Sequence, residues 1–479
     1  MNLAAVKLEY PITMFTMTLK KIQEITGAVL YGADSAFSCT VRGVNTDSRT
    51  IKHGELFIAL KGDNYDAHDF ILSAHDRGAV AYLLDHKIEQ VKPSLIVKDT
   101  RIAFGQIAQA WRNKFNYPVV AVTGSNGKTT VKEMLFSILS QQSKISGTKG
   151  VLATKGNFNN DIGVPITLNR MKSCHDSAVI EMGANHLGEI SYLTQLVNPD
   201  VAVITNAAAA HLEGFGSLEG VAKAKGEIFE GLHNHGTAII NYDDPNYAYW
   251  EECAGRNKII SFGENNNADI SYVSKSSGQQ DNNLVIIKLK NNKQFDLHLP
   301  LLGKHNLMNA LAAIAAAVAL KVDVKVIKKA LEAMQPVRGR LVSKKGVHDS
   351  IVIDDTYNAN PASLAAAIEV ISSFKGSHHV VLGDMGELGT DAITLHKLAA
   401  QTIKHGNVKY LYTIGEVSKS TSDEFGQGAQ HFTTHQDLVD HLVKKIQPED
   451  CILVKGSRAM QMGKIVDAIC NATLKSGER

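Results

Sequence analysis

The segment from Val119 to Ser140 constrains the fold of this chain more than any other. Val119 to Val122 is a short apolar run that predicts a buried strand, and Val131 to Ser140 has the composition of a helix. Between them lies the turn Thr123-Gly124-Ser125-Asn126-Gly127-Lys128-Thr129-Thr130. Such a turn lets backbone N–H groups approach phosphate oxygens, and the helix N-terminus adds positive potential. The segment therefore predicts an α/β domain that binds a phosphorylated ligand.

The residue types in the turn indicate ATP with Mg²⁺. A lysine at position 128 reaches the β- and γ-phosphates, and the Thr129 hydroxyl is suited to ligate Mg²⁺. The general GxxxxGK[ST] pattern needs glycine at position 122, which is Val122 here, so this loop is the shorter TGxNGKT form. The candidate ATP-binding residues of the turn are Gly124, Ser125, Asn126, Gly127, Lys128, Thr129 and Thr130.

The composition is that of an ordinary globular protein with more than one domain. A chain of 479 residues is too long for a single core. The formal net charge of +2 gives no reason to expect nucleic acid or an anionic membrane as a partner. The five cysteines show no CxxC spacing, and the first sixteen residues lack a secretory apolar core. The longest apolar run, Ala310 to Leu320, is too short for a membrane span. We expect a soluble, cytoplasmic monomer.

Short apolar runs alternate with helical patterns along most of the chain, which predicts α/β domains with mostly parallel sheets. We place one domain boundary near Thr100, before an amphipathic helix predicted from Ile102 to Phe115, and a second near Pro336, after the helix from Val324 to Met334. The predicted domains are residues 1–99, 100–335 and 336–479, of which the first is the smallest. The polar stretch from Ser274 to Lys293 predicts a surface hairpin.

Several motifs follow the loop. They are the run from Lys155 to Pro165, Glu181 at a strand end, His211 and Lys225, Gly303 to Ala310, Arg340 and Asp355. Together with the short loop, they resemble the Mur ligase family of peptidoglycan synthesis, over essentially the whole chain from Met17. The resemblance implies a UDP-binding N-terminal domain, a central P-loop ATPase domain and a C-terminal Rossmann-like domain.

The resemblance also implies roles for the motif residues. Thr129, Glu181, His211 and Lys225 match the Mg²⁺ ligands, with Lys225 carbamylated by CO₂; Lys223 is the alternative. The catalytic set is then Lys128, Glu181, His211, Lys225 and Arg340. Asn306 and Asn309 match the adenine contacts, Arg340 a γ-phosphate contact and Asp355 the ribose contact. The neighbours Arg338 and Asp354 are alternatives to the last two.

The two outer domains are expected to hold the substrates. Ser48 and Arg49 are candidates for uridine and diphosphate contacts, and Asn157 and Asn160 for contacts to the rest of the UDP-substrate. The candidate residues for the amino substrate are Tyr357, Asn358, Asn360, Asp384, Glu387, Lys455 and Arg458. A surface turn is an alternative for the segment from Lys455 to Arg458. The chain lacks the DNPR string of the diaminopimelate-adding member.

The resemblance therefore implies ATP-dependent joining of D-alanyl-D-alanine to UDP-N-acetylmuramoyl-tripeptide through an acyl phosphate. Whether the tripeptide ends in diaminopimelate or lysine is left open. One alternative is a folylpolyglutamate synthetase, which shares the ATPase loop but lacks a UDP-type N-terminal domain. A second is a regulatory nucleotide-binding switch without amide chemistry, against which Asp355 and the third domain argue.

Overall fold

The computed structural model describes residues 14–62, 65–148, 150–209, 212–274 and 284–472. Three large sheets are each drawn from one contiguous part of the chain, and each is mostly parallel. The predicted α/β class with three sheet-containing regions is confirmed. The residue numbers proposed for the domain boundaries remain a prediction.

The N-terminal region contains a five-stranded sheet. Its elements are β1 (Met17–Thr18), α1 (Leu19–Thr26), β2 (Val29–Tyr31), β3 (Thr40–Val41), β4 (Val44–Asn45), β5 (Leu56–Ile58), β6 (Lys61–Gly62), β7 (Tyr65–Asp66), α2 (Ile71–Asp76), β8 (Ala81–Leu84) and β9 (Ser94–Ile96). The sheet order is β2-β9-β8-β5-β4, and only the β2–β9 pair is antiparallel. Because β4, β5, β8 and β9 are parallel, their carboxyl ends lie along the same edge of the sheet.

The central region contains a nine-stranded sheet. Its elements are α3 (Thr100–Arg112), β10 (Val119–Thr123), α4 (Lys128–Ser146), β11 (Val151–Ala153), α5 (Gly163–Leu168), β12 (Ser177–Glu181), α6 (Glu189–Val197), β13 (Val201–Ile204), α7 (Leu212–Phe215), α8 (Leu218–Gly226), β14 (Thr237–Asn241), α9 (Tyr247–Ala254), β15 (Lys258–Phe262), β16 (Ile270–Ser274), β17 (Leu284–Leu289), β18 (Gln294–His298), α10 (Lys304–Ala319) and α11 (Val324–Glu332). The order is β11-β12-β10-β13-β14-β15-β16-β17-β18. The seven strands from β10 to β16 are parallel, and β17 and β18 continue the sheet as an antiparallel extension.

Strand β10 is buried on both faces, as its continuous apolar run predicts. Val119 and Ala121 pack into a core shared with α3, α5 and α6, whereas Val120 and Val122 pack into a core shared with α4, α10 and α11. The alanines from Ala310 to Ala317 of α10 are buried against α4, where their small side chains allow the two helices to approach closely. Among the described residues, no helix combines the length and the apolar character needed to cross a bilayer.

The C-terminal region contains a six-stranded sheet. Its elements are β19 (Val342–Lys345), β20 (Ile351–Asp355), α12 (Pro361–Ile371), β21 (His378–Gly383), α13 (Ala392–His405), β22 (Tyr410–Ile414), α14 (Lys419–Phe425), β23 (Ala429–Phe432), α15 (His435–Lys445), β24 (Cys451–Lys455) and α16 (Gly463–Asn471). The order is β19-β20-β24-β21-β22-β23, with only β19 antiparallel to its neighbour. Separate apolar cores lie on its two faces.

Two local features differ from the sequence-based expectations. Helix α4 begins at Lys128 and not at Val131, because Gly127 takes a left-handed conformation (φ 84°) and caps the helix. Lys128 and Thr129 therefore belong to its first turn. In the predicted hairpin stretch, β17 and β18 form an antiparallel pair joined by residues 290–293, while residues 275–283 lie outside the described part of the chain.

Candidate active site

A cavity of about 760 Å³ lies between the central and C-terminal sheets. The carboxyl ends of β12 and β13 face it from one side, through Glu181 and Thr205, and those of β20 and β24 from the other, through Asp355 and Lys455. Such edges are where open parallel sheets bind ligands. The predicted site residues that line it are Ser125, Asn126, Gly127, Lys128, Thr129, Thr130, Asn157, Asn160, Glu181, Asn306, Asn309, Arg340, Asp355, Tyr357, Asn358, Asn360, Glu387, Lys455 and Arg458.

The phosphate loop is held by close backbone approaches that only glycine permits. Gly124 has a φ of 142°, and a Cβ there would lie 1.9 Å from Thr205 Oγ1. Gly127, the cap of α4, would place a Cβ 2.2 Å from Asn309 Oδ1. The Asn126 N–H donates to Asn206 Oδ1 at 3.0 Å. Gly124 therefore supports the loop from beneath and is not part of the cavity wall.

Lys128 lies over this loop. Its Nζ donates to the carbonyl oxygens of Gly124, at 2.5 Å, and Ser125, at 3.1 Å. Burial lowers the pKa of Lys128; the carboxylate of Glu181 opposes this shift, and the guanidinium of Arg340 adds to it. Lys128 and Arg340 thus bring two positive groups together at the loop, as a site for phosphates requires.

Glu181 is 1% exposed at the end of β12. Its Oε1 accepts a hydrogen bond from Asn159 Nδ2 at 2.9 Å, while its buried Oε2 has no partner among the described residues. Leaving a buried carboxylate oxygen unpaired is costly, and hard cations such as Mg²⁺ are bound by such oxygens. Glu181 therefore fits a cation site. His211, the expected histidine ligand, lies outside the described residues.

The two candidate lysines of α8 differ sharply in environment. Lys225 is 1% exposed, with its Nζ 5.0 Å from the centroid of the Phe215 ring. Burial, followed by the charge of Lys128, lowers the pKa of Lys225 to about 7. Lys223 is exposed and forms a 2.8 Å ion pair with Glu219. Only Lys225 combines burial with an amine that is partly neutral near pH 7.

The two asparagines of α10 are bonded to each other and to the chain. Asn306 Nδ2 donates to the Leu302 carbonyl at 2.7 Å, and Asn309 Nδ2 donates to Asn306 Oδ1 at 3.3 Å. Asn309 also packs against Gly127 of the phosphate loop. Beside them His305 lines the cavity, and burial lowers its pKa, so that the ring is neutral. The asparagines thus join α10 to the loop, and their contacts to adenine remain a prediction.

Arg340 reaches the phosphate loop from the segment between the two domains. One of its Nη atoms donates to Thr129 Oγ1 at 2.9 Å, and its Cζ lies 4.1 Å from the centroid of the Tyr357 ring. The alternative, Arg338, is exposed and lies 3.4 Å from Asp467. Tyr357, predicted to contact the amino substrate, therefore supports the guanidinium of Arg340 in this arrangement.

Lys455 is the buried last residue of β24, which does not fit a surface turn at this position. Its Nζ donates to Asp355 Oδ2 at 2.5 Å and to the Asn358 carbonyl at 3.0 Å. Asp355 and Lys455, predicted for different ligands, are thus paired in the cavity wall. The alternative Asp354 is 2% exposed, pairs with Lys344 at 2.9 Å and does not line the cavity.

Some predicted residues lie elsewhere. Asp384 Oδ1 accepts from the Ser418 N–H at 2.7 Å and so holds the chain before α14. Ser48 is buried in the N-terminal domain, and the exposed Arg49 pairs with Asp47 at 2.9 Å. These residues, together with Lys225, are not in the cavity wall.

Sequence analysis did not identify two asparagines that hold parts of the site. Asn159 donates to Glu181, and Asn206 accepts from the Asn126 N–H of the phosphate loop. The Asn-rich run from Lys155 to Pro165 was a signal for the first, because it was already a candidate motif. Asn160 of the same run accepts from the Gly163 N–H at 2.9 Å, so part of its side chain shapes the turn before α5.

Comparisons with known proteins agree with this geometry. Family profiles match three consecutive parts of the chain: "Mur ligase family, catalytic domain" at residues 40–123, "Mur ligase middle domain" at 122–317 and "Mur ligase, glutamate ligase domain" at 338–458. The UDP-N-acetylmuramoyl-tripeptide–D-alanyl-D-alanine ligase of Escherichia coli (strain K12) is 40% identical over 458 residues, which cover 95% of this chain and 99% of that protein.

Solved structures extend the match to three dimensions. A crystal structure of MurF from Acinetobacter baumannii has a TM-score of 0.87 at 33% identity, covering 96% of this chain and all of that one. The MurF ligase from Thermotoga maritima, in complex with ADP, has a TM-score of 0.78 at 25% identity, covering 90% of this chain and 97% of that one. The resemblance inferred from the motifs is thereby confirmed, and the chain belongs to the Mur ligase family.

Proposed function

We propose that this chain joins D-alanyl-D-alanine to UDP-N-acetylmuramoyl-tripeptide, using ATP, to make the pentapeptide precursor of peptidoglycan. The observation that carries the proposal is a cavity in which the phosphate loop faces Arg340 and Arg458 of the C-terminal part of the chain. A relative named for this reaction is 40% identical over 95% of the chain, and a similar structure holds ADP.

The first step makes an acyl phosphate. An oxygen of the tripeptide's terminal carboxylate attacks the γ-phosphorus, a new P–O bond forms, and the bond to the β-phosphate oxygen breaks to release ADP. Negative charge spreads over the γ-phosphate oxygens as this happens. Lys128 and Arg340 face the phosphate loop with fixed positive charges, so they stabilise this charge without reorganising.

The second step forms the amide. The neutral amino group of D-alanyl-D-alanine attacks the acyl carbon, and the tetrahedral intermediate loses a proton and expels phosphate. We assign the carboxylate of the incoming dipeptide to the wall that contains Arg458, because a guanidinium fork suits a carboxylate and Lys455 is already paired with Asp355.

The proposed Mg²⁺ would be held by Glu181 and Thr129, with His211 and carbamylated Lys225 as further ligands. When bound, it would offset the negative charge of the phosphates. Among the protein groups, Asn159 fixes one oxygen of Glu181 and leaves the other free. Lys225 becomes anionic when its neutral amine adds CO₂, which forms an N–C bond and releases a proton.

The N-terminal domain favours this reaction over that of a folylpolyglutamate synthetase. In its own five-stranded sheet, Ser48 and Arg49 closely follow the carboxyl end of β4, where a uridine diphosphate group would be held. We further propose that the protein acts as a monomer in the cytoplasm, where its nucleotide-linked substrates would be present.

The test measures phosphate release from ATP with UDP-N-acetylmuramoyl-tripeptide, with and without D-alanyl-D-alanine, followed by mass analysis. Both tripeptides, ending in diaminopimelate or lysine, are supplied. We expect a pentapeptide product and phosphate release that both require the dipeptide. Turnover with folate and glutamate, or with another amino acceptor, but not with the dipeptide would contradict the assignment of the outer domains. Absence of turnover with every acceptor would favour a nucleotide-binding switch.

A further inference from the structure

Two histidines and an aspartate converge in the N-terminal domain, away from the cavity described above. His68 lies in the short turn of 3₁₀-helix Ala67–Phe70, and Asp85 and His86 directly follow β8. One potential ligand atom from each of the three lies within 4.8 Å of the other two. The His68 and His86 rings are 4.7 Å apart between centroids.

A carboxylate orients the ring of the buried His68. Asp66 Oδ1 lies 2.6 Å from His68 Nδ1 and also accepts the His68 backbone N–H at 3.0 Å. His68 Nδ1 is therefore the ring nitrogen that faces the carboxylate acceptor. The Asp85 backbone N–H points at Nε2 from 3.4 Å, which is consistent with a lone pair on that nitrogen.

The other ring nitrogen of His68 faces Asp85. His68 Nε2 lies 3.1 Å from Asp85 Oδ1. His86 Nδ1 lies 2.5 Å from the same Asp85 oxygen, on an exposed side chain that can turn. Ligands bound tetrahedrally at about 2.0–2.1 Å from an ion are roughly 3.3 Å apart. The distance between Nε2 and Oδ1 is thus close to the distance between two ligand atoms of a tetrahedral metal site.

We infer that His68, Asp85 and His86 bind a divalent transition-metal ion, with Asp66 as the positioning residue that orients His68. Two imidazoles and one carboxylate suit Zn²⁺ or Co²⁺ and not Mg²⁺, which prefers oxygen ligands. Three protein ligands leave a fourth position open to water or to an anionic ligand. The carboxylate behind the histidine is the usual partner of a metal-bound imidazole. The inference is independent of the proposed ligase reaction.

The experiment is calorimetric titration of Zn²⁺ into the full chain in the presence of excess Mg²⁺, with Co²⁺ absorption spectra to report tetrahedral coordination. We expect one Zn²⁺ per chain at this site. The variants Asp85→Asn and His86→Ala should each weaken binding at least about 10-fold, and Asp66→Asn should weaken it roughly 10- to 100-fold. His405→Ala, which removes an exposed histidine at the end of α13, should bind as the unmodified protein does.

The variant Glu181→Gln separates this site from the cavity between the sheets. Zn²⁺ binding that survives in Glu181→Gln and is weakened by His86→Ala supports the inference. Binding lost in Glu181→Gln, or unaffected by both His86→Ala and Asp85→Asn, overturns it, as does absence of Zn²⁺ binding. Thermal unfolding of each variant shows whether the N-terminal domain is still folded, so that loss of binding is not mistaken for loss of structure.

Discussion

At the level of single residues, two lysines set the electrostatics of the candidate site. Lys128 and Lys225 both lie in the central domain, and the charge of Lys128 is the second cause, after burial, of the low pKa of Lys225. Two cations that repel each other would also repel Mg²⁺. A carbamate would make the side chain of Lys225 negative. This side chain would then attract both Lys128 and the metal ion, which it repels as an ammonium group.

We predict that carbamylation of Lys225 follows the titration of its amine. Only the neutral amine adds CO₂, and a pKa of about 7 makes it about 10% neutral at pH 6 and about 90% at pH 8. The carbamate signal in ¹³C NMR with labelled bicarbonate should therefore rise through this range and be absent in Lys225→Ala. Lys223→Ala is the control, since this exposed lysine is paired with Glu219. The reverse pattern would assign the carbamate to Lys223.

From the sequence, the residues that line the site were predicted more reliably than the contacts that each of them makes. Asp355 was preferred over Asp354 and Arg340 over Arg338 from motif position alone, and the preferred member of each pair lines the cavity. Asp384 was expected at the amino substrate but is bonded to the Ser418 N–H. That contact joins chain segments 34 residues apart, and one sequence carries no signal for such pairing.

At the level of elements, strands were easier to predict than helix ends. The apolar run from Ile452 to Val454 lies within β24, and that from Leu411 to Ile414 within β22, because a strand buried on both faces needs continuous apolar residues. Helix ends depend on capping. Asp99 accepts from the N–H groups of Arg101 and Ile102, so α3 begins before the apolar periodicity that predicted a start at Ile102.

Asn360 connects one helix start to the phosphate loop. Its side-chain oxygen accepts from the Ser363 N–H at 2.8 Å as the N-cap of α12, and its Nδ2 donates to Asn126 Oδ1 at 2.9 Å. Serine is also a good N-cap but cannot reach Asn126. We predict that Asn360→Ser keeps stability and raises the KM for ATP about 2- to 10-fold, through loss of one hydrogen bond. Asn360→Ala should raise KM similarly and also lose about 1 kcal/mol of stability.

Calorimetric unfolding and steady-state kinetics with ATP measure these two effects separately. The matched control is Thr434→Ala, which removes the N-cap of α15 in the same domain, away from the cavity. It should lower Tm without changing the KM for ATP. An unchanged KM in both Asn360 variants would show that the hydrogen bond to Asn126 contributes nothing to nucleotide binding.

On the scale of the whole molecule, the sequence indicated three α/β regions but not how their strands are ordered. The order β19-β20-β24-β21-β22-β23 places β24, the last strand among the described residues, between β20 and β21, which brings Lys455 beside Asp355. Periodicity reports which faces of a strand are buried, not which strand is its neighbour. The antiparallel extension by β17 and β18 was likewise anticipated only as a hairpin, without its place in the central sheet.

The site exists only where the central and C-terminal domains meet. Polar contacts described across this cavity include those from Arg340 to Thr129 and from Asn360 to Asn126. Polar interfaces between domains allow relative motion, and ATP would add charged contacts to both sides. We predict that the C-terminal domain closes on the central domain when a nonhydrolysable ATP analogue and the UDP-substrate bind.

Small-angle X-ray scattering measures this closure as a decrease in the radius of gyration on addition of both ligands. The control is Lys128→Met, which removes the phosphate-loop cation, so the same ligands should leave its scattering unchanged. Ligands drive closure only through contacts that they make in the closed form and not in the open form. A ligand that binds equally well to both forms does not change the equilibrium between them. Unchanged scattering of the unmodified protein, with ligand binding verified by calorimetry, would mean that the two domains already hold the arrangement described here before ATP arrives.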